Sequence, residues 1–180
     1  MKIFVASDLH GSAPCCARLI EAFRREQADR MLLLGDILYH GPRNDLPEGY
    51  APKEVIAMLN TLANRILCVR GNCEAEVDEM VLQFPVAQEA ALFLGKRLVF
   101  ASHGHVFHAG KLPPLQPGDL LLVGHTHVPA WEETPEGVFV CNPGSVSLPK
   151  EASPRGYLLL TEEELVWKTL DGTVYHSVAL

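Results

Sequence analysis

Residues 3–23 read IFVASDLHGSAPCCARLIEAF, and two hydrophobic periods meet in them. IFVAS at 3–7 is a short apolar run that stops at Asp8, the pattern of a buried strand. Ser12 then offers a helix N-cap, Pro14 is tolerated in the first turn, and Cys16, Leu19, Ile20 and Phe23 follow at helical spacing. The next unit repeats the plan. MLLLG at 31–35 is a buried strand ending at Asp36, and Val55, Leu59, Leu62 and Ala63 form the face of a helix starting near Pro52. A third strand, RILCVR at 65–70, ends at Gly71 and Asn72.

Three buried strands separated by two helices predict a parallel arrangement with right-handed crossovers. Functional side chains in such sheets gather at the carboxyl ends of the strands. Asp8, Asp36 and Asn72 are therefore expected to converge despite their separation in sequence. The second half is richer in strands: RLVFASHGH (97–105), DLLLVGHTH (119–127), GVFVCNPGSV (137–146), RGYLLLT (155–161) and ELVWKTL (164–170) are short β-like runs between Gly, Pro and Asp turns. They read as a second, mostly antiparallel sheet packed on the first. AGKLPPLQPGD at 109–119 has no hydrophobic period and reads as an ordered surface loop.

At 180 residues and 48% hydrophobic content, the chain suffices for one well-buried core and is short for two. The formal net charge is −7, and the 15 Lys and Arg are scattered without forming a stripe, which argues against a grip on a nucleic-acid backbone. Five cysteines, Cys15, Cys16, Cys68, Cys73 and Cys141, include no CxxC pair, so neither a disulfide framework nor a thiolate zinc site is indicated. A reducing, cytoplasmic location is expected. The apolar stretch after Met1 is too short for a signal peptide, and no run reaches membrane-spanning length.

The strand ends and glycine turns supply Asp8 and His10 in SDLHG, Asp36 in GD, Asn72 in GNC, His103 in SHGH, and His125 with His127 in GHTH. In D-x-H and H-x-H one residue separates the two donors, and extended backbone would point both to one face. Seven donors exceed one tetrahedral site. Nitrogen and oxygen without thiolate suit Mn, Fe, Zn or Ni better than Ca or Mg. Two ions are the simplest reading, with a carboxylate bridging across about 3.5–4 Å.

The series SDLHG, GDIL, RGNCE, SHGH, GHTH and NPGSV resembles the calcineurin-like metallophosphoesterase superfamily over essentially the whole chain. The insert YHGPRNDLPEGYAP at 39–52 and the GNC variant are similar to the small bacterial YfcE-type phosphodiesterases. The resemblance implies a single α/β domain over residues 1–180, a four-layer α-β-β-α sandwich of two mixed sheets. It implies two divalent ions, Mn first and Fe, Zn or Ni as alternatives, and a small-molecule phosphodiester as partner; a homo-oligomer is left open. One ion would be held by Asp8, His10, Asp36 and His127, the other by Asp36, Asn72, His103 and His125, with Asp36 bridging. The family pattern favours His103 over His105, which then supports the shell. A metal-bridging hydroxide would attack phosphorus in line with the leaving oxygen.

Larger phosphatases of this superfamily place a His after the Gly-Asn to protonate the departing oxygen, and an Asp after GD to orient that His. Cys73 and Tyr39 stand in those two places here. A thiol is a weak hydrogen-bond donor with a reference pKa near ~8.5, whereas imidazolium titrates near ~6.5 and hands over its proton at neutral pH. The expected function is hydrolysis of phosphodiesters with good leaving groups. A phosphomonoesterase, or a non-catalytic interaction module of the same fold, is the alternative. His40 and Arg43 are candidate phosphate contacts, Arg43 through its bidentate fork. Arg70 is expected to pair with Glu74 or Asp78. NPGSV at 142–146 should turn the chain under the site, with Asn142 bonding backbone rather than metal.

Overall fold

The structure, a computed structural model, describes residues 1–180. Its first strand, β1 (Ile3–Ala6), leads to α1 (Ala13–Arg25), β2 (Arg30–Leu33), α2 (Pro52–Asn60) and β3 (Ile66–Val69). A short helix, α3 (Glu76–Val81), and a two-residue strand, β4 (Val86–Ala87), close this half. Ser12 caps α1 as expected, its hydroxyl accepting from the Cys15 N–H, and Cys15, Cys16, Leu19, Ile20 and Phe23 are buried along one face. Helix α2 buries Val55 and Leu59 but stops at Asn60, so Leu62 and Ala63 lie beyond its end.

Strands β5 (Ala90–Leu94), β6 (Arg97–Ala101), β7 (Leu120–Leu122), β8 (Ala130–Glu133) and β9 (Phe139–Asn142) form a five-stranded sheet in the order β5-β6-β7-β9-β8. The last strands, β10 (Gly156–Leu160), β11 (Glu164–Thr169) and β12 (Val174–Ala179), return to the first sheet, whose order is β12-β11-β10-β1-β2-β3-β4. Two expectations are corrected here. The runs at 155–161 and 164–170 belong to the first sheet, where β10 pairs antiparallel with β1 (Ile3 opposite Leu160). The second sheet is also not mostly antiparallel, because β6, β7 and β9 pair in parallel. Periodicity reports which residues are buried, not which strand is the neighbour: all five residues of β10 are buried, and that pattern suits the middle of either sheet.

The side chains of β1, all buried, alternate between two faces. Phe4 and Ala6 face α1 and α2 in one apolar cluster, with Phe4 stacked on Tyr157 and edge-on to Phe23. Ile3 and Val5 face the other way, into the cluster between the sheets with Leu120, Leu122 and Trp167. The Trp167 indole N–H donates to the Asn142 carbonyl at 2.8 Å, which ties β11 to the end of β9. Each fully buried side chain of this size contributes about 1.5–3 kcal/mol over its exposed state. On the outer face of the second sheet, Leu112 and Leu115 of the 109–119 segment pack over Leu121, Val123, Val138 and Val140, so that loop is ordered by its apolar residues.

Two parallel triplets, β1-β2-β3 and β6-β7-β9, therefore end on the same edge of the sandwich. The seven candidate donors follow strand ends there: Asp8 and His10 after β1, Asp36 after β2, Asn72 after β3, His103 after β6, and His125 with His127 after β7.

Candidate metal centre

The strand-end loops are laced together by backbone. Asp8 N–H donates to Gly35 O, His10 N–H to Asp36 O, and Gly124 N–H to His103 O at 2.7–3.1 Å. Two glycines permit this closeness. A side chain at Gly71 would strike the Asp36 carboxylate, and one at Gly124 would strike the Ser7 hydroxyl and the Asp8 carboxylate. From below, Ser145 and Ser147 donate to the Asp8 carbonyl at 2.7 and 3.1 Å, so NPGSV does turn under the site. Asn142 bonds the Gly124 carbonyl and the Gly144 N–H, as expected.

The backbone at the donors differs from expectation. Asp8, His10, Asp36, His125 and His127 all have positive φ, between 48° and 66°, and only Gln27, Glu151 and Ala152 among other non-glycine residues share that region. D-x-H and H-x-H are therefore not extended here. Each left-handed residue costs roughly 1–2 kcal/mol, and such strain gathers at functional sites. In each motif the two donors flank a single residue on a tight turn, so both still face one centre.

That centre is built from buried rings with fixed tautomers. The Nδ1 atoms of His10, His103 and His127 lie 2.8, 2.6 and 2.6 Å from the carbonyl oxygens of Tyr39, Leu34 and Leu148. Each Nδ1 carries the proton it donates, and each Nε2 faces inward. His10 Nε2 is 3.2 Å from His127 Nε2, and Asp8 Oδ1 lies 3.6 and 3.3 Å from those two atoms. Asp36 Oδ2 is 3.7 Å from His10 Nε2 and 3.5 Å from His103 Nε2. His103 Nε2 is in turn 3.2 Å from Asn72 Oδ1 and 3.3 Å from His125 Nδ1. Two donor groups result, and Asp36 Oδ2 is common to both. His103 is fully buried, while His105 is exposed with its ring 5.5 Å from that of His103.

The electrostatics call for positive charge. Burial pushes the Asp8 carboxyl up, but His10, His127 and His103 pull harder and hold it well below the usual carboxylate range. Burial likewise opposes ionisation of Asp36, and contact with His103 leaves it lowered. Burial pushes His103 down, but the Asp36 and Asp8 carboxylates raise it to about 9. His10 is raised by the same carboxylates against its own burial. His125 is lowered, by burial first and the charge on His103 second. Asp8 Oδ1 is buried and receives no hydrogen bond. Inward-facing ring nitrogens, an orphan carboxylate oxygen and mixed N and O donors fit divalent transition ions, which would replace the proton that His103 holds without them.

Glu74 was not singled out as a site residue from the sequence. Its carboxylate is 7% exposed and accepts from Asp36 N–H at 2.9 Å, Ile37 N–H at 2.6 Å and Gly71 N–H, clipping together the loops after β2 and β3. Arg70, expected to pair with Glu74 or Asp78, instead forms its ion pair with Glu79 at 3.0 Å and touches only the Glu74 carbonyl. A cavity of about 400 Å³ opens over the centre, lined by Gly41, Arg43, Asn44, Asn72, Cys73, His125 and Lys150 among others. Arg43 is there as expected. His40 is not: its ring packs between Tyr39 and Tyr50 because the chain turns at Gly41. Lys150 is there without any motif to announce it.

Cys73 Sγ lies within 4.8 Å of a His10 ring nitrogen and an Asp36 oxygen, and Asn72 Nδ2 donates to it at 3.2 Å. Burial, then the Asp36 charge, pushes its thiol up to about 12. Cys73 is therefore a protonated thiol at the rim of the centre. No helix of the chain is long and apolar enough to cross a membrane.

Residues 1–165 match the calcineurin-like phosphoesterase superfamily domain. Phosphodiesterase YfcE of Escherichia coli strain K12 is 47% identical over 166 residues, which cover 92% of this chain and 90% of that protein. Probable metallophosphoesterase YsnB of Bacillus subtilis strain 168 is 26% identical over 171 residues, 91% of this chain and 85% of that one. The solved structure of Yfce, a phosphoesterase from E. coli, superposes with a TM-score of 0.95 at 45% identity, covering 99% of each chain.

Proposed function

The chain belongs to the calcineurin-like phosphoesterase superfamily, and within it we propose a metal-dependent phosphodiesterase that cleaves diesters with good leaving groups at a dinuclear centre. The observation that carries this reading is the overlap of two donor groups at Asp36 Oδ2. Asp8, His10, Asp36 and His127 would hold one divalent ion, and Asp36, Asn72, His103 and His125 the other, with Mn the first candidate. When bound, such ions supply Lewis acidity and lower the pKa of water.

The residues of the chain do the rest. The three Nδ1-to-carbonyl contacts fix the rings of His10, His103 and His127 so that no reorientation is needed on binding. Asp36 spans both groups through one oxygen while its other oxygen is held by the Cys73 N–H at 2.9 Å. Asn72 presents its amide oxygen to the centre and its amide nitrogen to the thiol. Arg43 lines the wall of the cavity above the centre.

Substrate choice follows from Cys73. A thiol is a weak hydrogen-bond donor, and no carboxylate stands at position 39 to assist it. A positioned general acid is worth roughly 10²–10⁴-fold, so poor leaving groups forfeit that factor. The kinship with phosphodiesterase YfcE, which shares nearly half of its residues with this chain, supports the diester reading. The test is the initial rate of an aryl phosphodiester and its matching monoester with chelator-stripped protein, with and without added Mn. Metal-dependent diester turnover with a slower monoester is expected; folded protein inert toward both with every metal would overturn the reading.

A further inference from the structure

The walls of the cavity above the centre contain an unassigned feature. Eleven residues line it, only one of them hydrophobic, and its sole Lys and Arg are Lys150 and Arg43. They come from distant segments. Arg43 belongs to the wall of Gly41, where an added Cβ would lie 2.9 Å from Cys73 Sγ. Lys150 belongs to the segment after β9, its backbone N–H donating to the His127 carbonyl at 3.2 Å. Neither cavity cation forms an ion pair with a carboxylate, so both are available to an anion entering the cavity. In a chain of net charge −7, two cations lining one cavity create a local field for anions.

The scissile phosphodiester carries a single negative charge, and the donor cluster is its place. The cations on the walls stand beyond it. The cavity has no aromatic ring outside its histidines and no aliphatic wall to receive a lipid or aryl arm. Recognition of the arm must then come from charge and hydrogen bonding, and a guanidinium fork matches a phosphate. We propose that the preferred substrate is a phosphodiester bearing a second phosphate on its non-leaving arm, held by Lys150 and Arg43, with Lys150 as a specificity-determining residue. This rests on the phosphodiesterase reading.

Two probes share a leaving group and differ by one phosphate: the 5′-(4-nitrophenyl phosphate) of thymidine, with a free 3′-hydroxyl or a 3′-phosphate. In metal-loaded protein the 3′-phosphorylated diester is expected to show a kcat/KM about tenfold higher or more. That ratio should fall toward one in Lys150→Met and in Arg43→Gln, and should shrink as salt is added. Calorimetry supplies a readout apart from turnover: thymidine 3′,5′-bisphosphate should bind tighter than the 5′-monophosphate, and Lys150→Met should remove the difference. Equal kcat/KM for the two diesters, or a preference that survives both substitutions, would overturn the proposal. If neither diester is cleaved, the phosphodiesterase reading fails, and the calorimetric comparison still decides the role of the two cations.

Discussion

Replacing Glu74 by Ala tests how the centre is assembled. The Glu74 carboxylate accepts three backbone N–H groups, those of Asp36, Ile37 and Gly71, and burial pushes it up against their pull. Hydrogen bonds to a charged group contribute about 1.5–3 kcal/mol each, and a buried donor left unpaired forfeits its hydration as well. Water entering the gap recovers part, so Glu74→Ala should cost roughly 3–5 kcal/mol, a large share of a typical stability of about 5–15 kcal/mol. Glu74→Gln keeps one accepting oxygen. That oxygen can serve Asp36 and Gly71, as Oε2 does now, while the amide nitrogen turns on the Ile37 N–H, for a loss of roughly 1–2 kcal/mol. Urea unfolding of chelator-stripped protein should rank the parent above Gln and Gln above Ala. Because the clipped loops carry Asp36 and Asn72, Mn affinity by calorimetry should fall in the same order, by about 10–100-fold in a folded variant. An Ala variant as stable as the parent, or a Gln variant with parental stability and affinity, would refute the reasoning.

Two further predictions concern protons. Cys73→His should raise turnover of diesters with poor leaving groups, and adding Tyr39→Asp should raise it further by orienting the imidazole; a folded, metal-loaded double variant with no gain would show that the missing acid is not the limit. Without ions, His103 is raised from the ordinary 6.5 to about 9, so its protonation stabilises the fold fully below pH 6.5 and that support, roughly 3 kcal/mol, is lost as pH rises through 9. A metal ion must displace this proton, so affinity should rise with pH toward 9, and calorimetry at pH 7 in buffers of different ionisation enthalpy should detect proton release. Zero release would refute that assignment.

Much of the site was legible because its donors punctuate the sequence at strand ends. Asp8, Asp36 and Asn72 were expected to converge on the carboxyl edge of a parallel sheet, and the structure places them there. Glu74 and Lys150 were missed for physical reasons. A carboxylate that binds backbone N–H groups needs no partner residue type, and a lysine on a cavity wall carries no spacing signal. His40 was misplaced because a turn at Gly41, invisible to hydrophobic period, rotates it between two tyrosines. The extended-backbone argument for D-x-H and H-x-H assumed the wrong conformation: the left-handed turns keep Asp8 and His10 together but set His125 beside His103 and His127 beside His10 and Asp8.

The amino-acid sequence alone determined which stretches are buried, where the first helices begin and which seven side chains are candidate metal donors, because these depend on local period, capping and side-chain chemistry. Tertiary structure decided the rest. Only the pairing of β10 with β1 assigned the last strands to the first sheet, and only the parallel β6-β7-β9 triplet brought the histidines to the edge that carries the carboxylates. Strand partners and donor distances are long-range quantities set by how two sheets pack, and no local pattern encodes them.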